Sequence, residues 1–292
     1  MLQDQIKQAN ILPAETRMGP ATLKVANLAR AVDFYHRVLG LAVLEQAQTT
    51  ATLGVGGQPL LRLEAVEGGQ RQPDFSTGLY HLAIRLPSRA DLGRVLLNLA
   101  RSQYPLSGFS DHLVSEAVYL NDPDGNGLEL YRDRPRTEWP YKNGMIQMAT
   151  DPLDVEGIIA TVPDPDAPFT GMPAGTDIGH VHLRAGDIPT AERFYNQILG
   201  FDIVARLPSA LFVSAGGYHH HLGLNTWQSR NAPQPPANSV GLGNYTIFVP
   251  GAEALDPIAA RLDTASIKYE RSADELSVDD PWGNHVRIVA EK

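Results

Sequence analysis

KVANLARAVDFYHRVLGLAVL, from Lys24 to Leu44, returns 160 residues later as RAGDIPTAERFYNQILGFDIV, from Arg184 to Val204. Each copy reads as the end of a strand, a loop and a short helix with a glycine stop. Ala31, Phe34 and Leu39 carry the apolar side of the first helix, and Ala191, Phe194 and Leu199 that of the second, with Gly40 and Gly200 ending them. A strand follows each stop. Three further landmarks recur in the same order: GVGGQPLLRLE from Gly54 with SAGGYHHHLGLN from Ser214, GLYHLAIRLP from Gly78 with GLGNYTIFVP from Gly241, and NDPDGNGLELY from Asn121 with DDPWGNHVRIV from Asp279. Ordered self-similarity of this kind marks a duplicated domain.

Working outward, short alternating strands (ATLKV, LLRLE, YHLAIRL, AVYL) surround two helical stretches in each copy, the second being ADLGRVLLNLARS and AEALDPIAARLDTAS. The expected order is β-α-β-β-β twice per domain. Residues 15–135 form the first domain and 177–292 the second. Between them, 136–176 is dense in Pro, Gly and Asp and reads as a connector rather than core, long enough to wrap.

Composition narrows the chemistry. The chain has 292 residues, room for two cores. Its 33 acidic and 24 basic residues leave a net charge of -9 with no Lys/Arg run, so no nucleic-acid partner is expected. Cysteine is absent, which removes thiolate nucleophiles, iron–sulfur clusters and disulfides and leaves His, Asp and Glu as side-chain metal ligands. The opening MLQDQIKQANILPAETRMGP has no apolar signal-like region and no stretch reaches 18 apolar residues, so a cytoplasmic protein without a membrane span is expected. A homo-oligomer is compatible with this reading.

The FYxxxLG pattern after a first strand, His81 on a fifth, and DPDGNG leading to Glu129 on an eighth resemble the vicinal-oxygen-chelate (VOC) superfamily, over nearly the whole chain. That group includes glyoxalase I, extradiol dioxygenases and bleomycin resistance proteins. The resemblance implies an α+β fold of tandem VOC domains, four βαβββ modules forming open barrels, with metal ligands on the first, fourth, fifth and eighth strands. Carried over residue by residue, the first-strand position is His180 in copy two but Pro20 in copy one, and the fourth is His221 against Leu61. The fifth is His81 against Asn244, and the eighth is Glu129 against Arg287. Each copy thus keeps half a ligand set. If the second module of copy one pairs with the first module of copy two, all four retained residues meet in one site and all four losses in the other.

Two histidines and a carboxylate suit non-haem Fe(II) with positions open for substrate and dioxygen; Mn(II), Ni(II) and Zn(II) are the other ions compatible with such a set. Tyr119, ten residues before Glu129, stands where the resemblance to extradiol dioxygenases places a tyrosine that hydrogen-bonds a substrate oxygen. His112 is an acid–base candidate, since imidazole titrates near neutrality. His219 and His221 share one face if their segment is a strand, with His220 opposed, so one of those two is expected to look at the metal. His182 lies on the same face as His180, and spacing favours His180 as ligand.

Each residue also has a plainer reading. Strand histidines usually sit satisfied in a core or rim, His219–His221 reads as an exposed run, Tyr119 as a core aromatic, and DPDGNG as a turn. Their coincidence favours a ring-cleaving dioxygenase acting on a catecholic aromatic with O2. The alternatives are a glyoxalase-like isomerase or lyase, which calls for a fourth-strand glutamate where His stands here, and a non-catalytic binding protein of the bleomycin-resistance type, which has no need to retain one complete ligand set.

Overall fold

A computed structural model describes residues 11–142 and 144–291. The first ten residues, part of the stretch read above as lacking an export signal, lie outside it, as do Asn143 of the connector and Lys292. The first module is β1 (Arg17–Val25), α1 (Leu28–Asp33), β2 (Ala42–Gln46), β3 (Thr50–Val55) and β4 (Gln58–Ala65). The second is β5 (Gly78–Arg85), α2 (Arg89–Arg101), β6 (Leu106–Asp111), β7 (Ser115–Asn121) and β8 (Gly127–Asp133). The connector carries β9 (Tyr141–Lys142), β10 (Met145–Ile146) and α3 (Val155–Ile159). The third module is β11 (Asp177–Arg184), α4 (Ile188–Glu192), β12 (Asp202–Leu207), β13 (Ala210–Ser214) and β14 (Leu222–Asn225). The fourth is β15 (Gly241–Pro250), α5 (Leu255–Thr264), β16 (Tyr269–Arg271), β17 (Glu275–Asp279) and β18 (His285–Glu291).

Local sequence accounts for these elements. Asn27 and Asp187 cap α1 and α4 by accepting from the amides of Arg30 and Thr190. Both helices widen into a π-turn, over Phe34–Val38 and Arg193–Ile198, before Gly40 and Gly200 take φ of +80° and +97°. In α2, Leu92, Val95, Leu96 and Leu99 fall on one buried stripe. Strand β8 alternates: Leu128 and Leu130 join the main apolar core, while Tyr131 belongs to a separate cluster with Ala83 and Ala117.

Apart from the separate β9–β10 pair, the strands form two open eight-stranded mixed sheets whose membership crosses the duplication. One has the order β16-β17-β18-β15-β1-β4-β3-β2, joining modules one and four, and the other β12-β13-β14-β11-β5-β8-β7-β6, joining modules two and three. Antiparallel pairing of β1 with β15 and of β5 with β11 makes the two cross-copy seams. Strand β1 of one sheet lies against β11 of the other. Among the described residues, no helix is long and apolar enough to cross a membrane.

The connector is more integrated than its composition suggests. Trp139 and Ile146 pack with Val114, Val204 and Tyr218, and Ile158 and Met172 enter the main core. Its apolar residues are widely separated among Pro and Gly, so no period announces them, yet each fills a gap between elements.

Candidate metal centre

The β5–β11 seam sets His81 on one strand directly opposite His182 on the other, with His180 opposite Ala83 and Ala83 beside Glu129 of β8. Three side chains from both halves of the chain thereby converge. His81 Nε2 lies 2.9 Å and His180 Nε2 3.1 Å from Glu129 Oε2, and the two imidazole nitrogens lie 3.3 Å apart. All three residues are buried, and their ligand atoms fall within 4.8 Å of one another, a grouping able to hold a metal ion.

Electrostatics suit that use. Burial opposes charge on Glu129, but the facing imidazoles of His180 and His81 outweigh it and hold the carboxyl well below its ordinary range. Burial pushes His180 down to about 4. The set therefore presents a carboxylate and an imidazole kept neutral at pH 7. Among the described residues, His180 Nδ1 is buried with no hydrogen-bond partner. A buried carboxylate against two imidazoles is a costly arrangement that a cation would offset.

Tyr119 is the cross-strand partner of Glu129, and its ring lies 5.7 Å from that of His81. His112 bridges outward from it: Nε2 is 2.6 Å from the Tyr119 hydroxyl, and Nδ1 is 2.6 Å from the carbonyl of Ala149 in the connector. A carbonyl can only accept, so Nδ1 carries a proton and, in the neutral ring, Nε2 accepts from the phenol. Burial, reinforced by the Glu129 charge, pushes the Tyr119 phenol well above its ordinary range and keeps it protonated.

The structure differs from the expectation for the fourth-strand position. Strand β14 begins only at Leu222, so His219–His221 lie in an irregular segment to which strand alternation does not apply. His221 turns away from the cluster: its Nδ1 accepts from the amide of Ala215 at 3.2 Å and its ring packs on Tyr218 and Phe201. His219 is 2.8 Å from Asp133 through Nε2. The residue against the cluster is His220, its ring 4.2 Å from that of His180. Asp133 accepts from His219 Nε2, so His219 Nδ1, 2.9 Å from His220 Nδ1, becomes the acceptor of that contact and leaves Nε2 as the acceptor of His220. Burial, then the neighbouring His180 and His219, push His220 well below its ordinary range. Its strand-reading face argued against it, and only the irregular backbone reveals it.

His182 does not join the cluster. Its Nε2 accepts from Asn225 at 3.1 Å, and its ring stands 4.8 Å from His81, 5.0 Å from Tyr80 and 5.6 Å from Trp227. A Cβ on Gly223 would come within 2.9 Å of that ring, so glycine makes the room for it. In the opposite sheet the counterparts Pro20, Leu61, Asn244 and Arg287 line one cavity, with Arg287 held by Glu275.

The profile of the Glyoxalase/Bleomycin resistance protein/Dioxygenase superfamily matches residues 17–130 and 177–288. A catechol-2,3-dioxygenase of Bacillus subtilis (strain 168) is 44% identical over 272 residues, spanning 91% of this chain and 94% of that protein. Among solved structures, glyoxalase I from Zea mays superposes with a TM-score of 0.57 at 17% identity over 94% of this chain and 92% of that one. The cppA protein from Streptococcus pneumoniae TIGR4 gives 0.58 at 12% identity over 94% and 99%. At such identities the two structural likenesses speak for the fold alone.

Proposed function

The chain belongs to the Glyoxalase/Bleomycin resistance protein/Dioxygenase superfamily, and from that premise we propose that it is a non-haem, metal-dependent dioxygenase that cleaves a catecholic ring with O2 by the extradiol route. The observation that carries this reading is the buried His81–Glu129–His180 cluster, taken together with the 44% identity to a catechol-2,3-dioxygenase. His81, Glu129 and His180 would hold the ion. Two imidazoles and one carboxylate favour Fe(II), with Mn(II), Ni(II) and Zn(II) the ions that metal analysis must separate from it. A divalent ion bound there would supply Lewis-acid chemistry toward a catechol and O2.

The remaining chemistry belongs to the chain. Tyr119, kept as a phenol, donates to a substrate oxygen when substrate displaces it from His112, and the Ala149 carbonyl holds His112 in the tautomer that takes the hydrogen bond back. His220, with Nε2 as acceptor and Nδ1 anchored through His219 to Asp133, is placed to take a proton from the second substrate hydroxyl. Tyr80, His182 and Trp227 offer flat faces suited to an aromatic ring. A glyoxalase-like isomerase would call for a second carboxylate from the fourth strand, and β14 offers Leu222–Asn225 instead. Oxygen uptake by anaerobically purified, Fe(II)-loaded protein over a panel of catechols tests the proposal. Consumption of one O2 per ring-opened product supports it, and no uptake with any catechol refutes it.

A further inference from the structure

The sheet that lacks the ligand cluster is not filled in. Its concave side keeps a cavity of about 320 Å³ on the face where the other sheet gathers His81, Glu129 and His180. An idle barrel could have been closed by large apolar side chains, as protein interiors ordinarily are. Instead a polar band crosses four neighbouring strands: Arg287 of β18 stands opposite Thr246 of β15, Asn244 of β15 opposite Thr22 of β1, and Thr22 opposite Arg62 of β4. Pro20 and Phe248 supply apolar walls beside it.

The charged residues lining this cavity are both cations, Arg62 and Arg287. Each has a glutamate partner outside the lining. Glu275 engages Arg287 through Nε at 2.7 Å and Nη2 at 2.8 Å, and Glu64 engages Arg62 through Nε at 2.9 Å. Those pairings orient the guanidinium groups and leave Nη1 of Arg287 outside the pair. Thr22 and Thr246 are buried beside them. An oriented guanidinium edge over an apolar wall is the pattern that recognises a carboxylate on a flat body.

We propose that this barrel is a second ligand site, for a small planar carboxylate of the aromatic-acid class, its ring on Pro20 and Phe248 and its carboxylate on Arg287. The site is separate from the metal cluster and stands whether or not a catechol is the substrate. Equilibrium dialysis of the full chain against labelled benzoate tests it, using metal-loaded wild type, Arg287→Gln and Arg62→Gln, and Glu129→Gln as the protein whose metal cluster is disabled. One saturable site should survive Glu129→Gln and weaken about tenfold or more in Arg287→Gln, the scale of a lost charge-assisted hydrogen bond. Arg62→Gln should weaken it independently from the other side, and neutral benzamide should compete poorly. Loss of binding in Glu129→Gln with retention in both arginine variants would assign benzoate to the metal centre and overturn the proposal. So would equal competition by benzamide, or no saturable binding at millimolar benzoate.

Discussion

Tyr119 shows how much one residue's role depends on what faces it. Set against His112, beside Glu129 and kept protonated, its hydroxyl is a donor in waiting, so Tyr119→Phe should keep the fold and the metal but lower turnover by about 10² to 10⁴ if the phenol acts as a general acid or base. Oxygen uptake at saturating catechol reads this, and unchanged turnover would make Tyr119 a packing residue. Histidine burial makes a second prediction. Burial holds His180 at about 4 and His221 at about 3, whereas in an unfolded chain each titrates near 6.5. Between those values the unfolded state binds more protons, so the stability present at neutral pH is lost as pH falls. Asp122 and Asp280, raised by burial, act oppositely. The urea midpoint of metal-free protein should therefore drop steadily from pH 7 to pH 5, and a flat midpoint would show these rings to be hydrated. At this scale His81, Glu129 and His180 were legible because their spacing matches a family pattern. His220 was not, because its direction depends on a backbone irregularity that an HHH run does not encode.

At the scale of elements, the repeat's two strongest landmarks turn out to be one device. Tyr35, from the FY of α1's π-turn, donates to Asp122 of the DPDGN turn at 3.0 Å, and Tyr195 donates to Asp280 at 2.7 Å in the second copy. The other oxygen of each aspartate accepts two amides of its own turn, Asp124 and Asn126 or Trp282 and Asn284. The sequence displays FY and DPxGN as separate signals, a helix and a turn, and their union 87 residues apart appears only in three dimensions. Because the Asp122 turn leads directly into β8, it also sets the start of the strand that carries Glu129. Tyr35→Phe should cost about 1 to 3 kcal/mol in denaturant unfolding, the loss of a hydrogen bond to a buried carboxylate. A change near zero would mean that Asn126, already 2.8 Å from the same oxygen, suffices alone.

The whole molecule is two sheets that each borrow half of their strands from either copy. This exchange brings His81 and Glu129 of one half together with His180 of the other. Their counterparts Pro20, Leu61, Asn244 and Arg287 meet in turn at the cavity of the other sheet. The pairing could be inferred from the sequence because complementary losses make sense in no other arrangement. The connector's part could not, since Trp139, Ile146 and the Ala149 carbonyl act through contacts that no local pattern marks. The most direct measurement is the metal content, after anaerobic purification and loading with Fe(II), of His81→Ala, His180→Ala and Arg287→Ala beside the wild type. A site shared across the halves requires that His81→Ala and His180→Ala each lose stoichiometric metal although they lie in different copies, while Arg287→Ala keeps one ion per chain. Full occupancy in either histidine variant, or loss in Arg287→Ala, would contradict it.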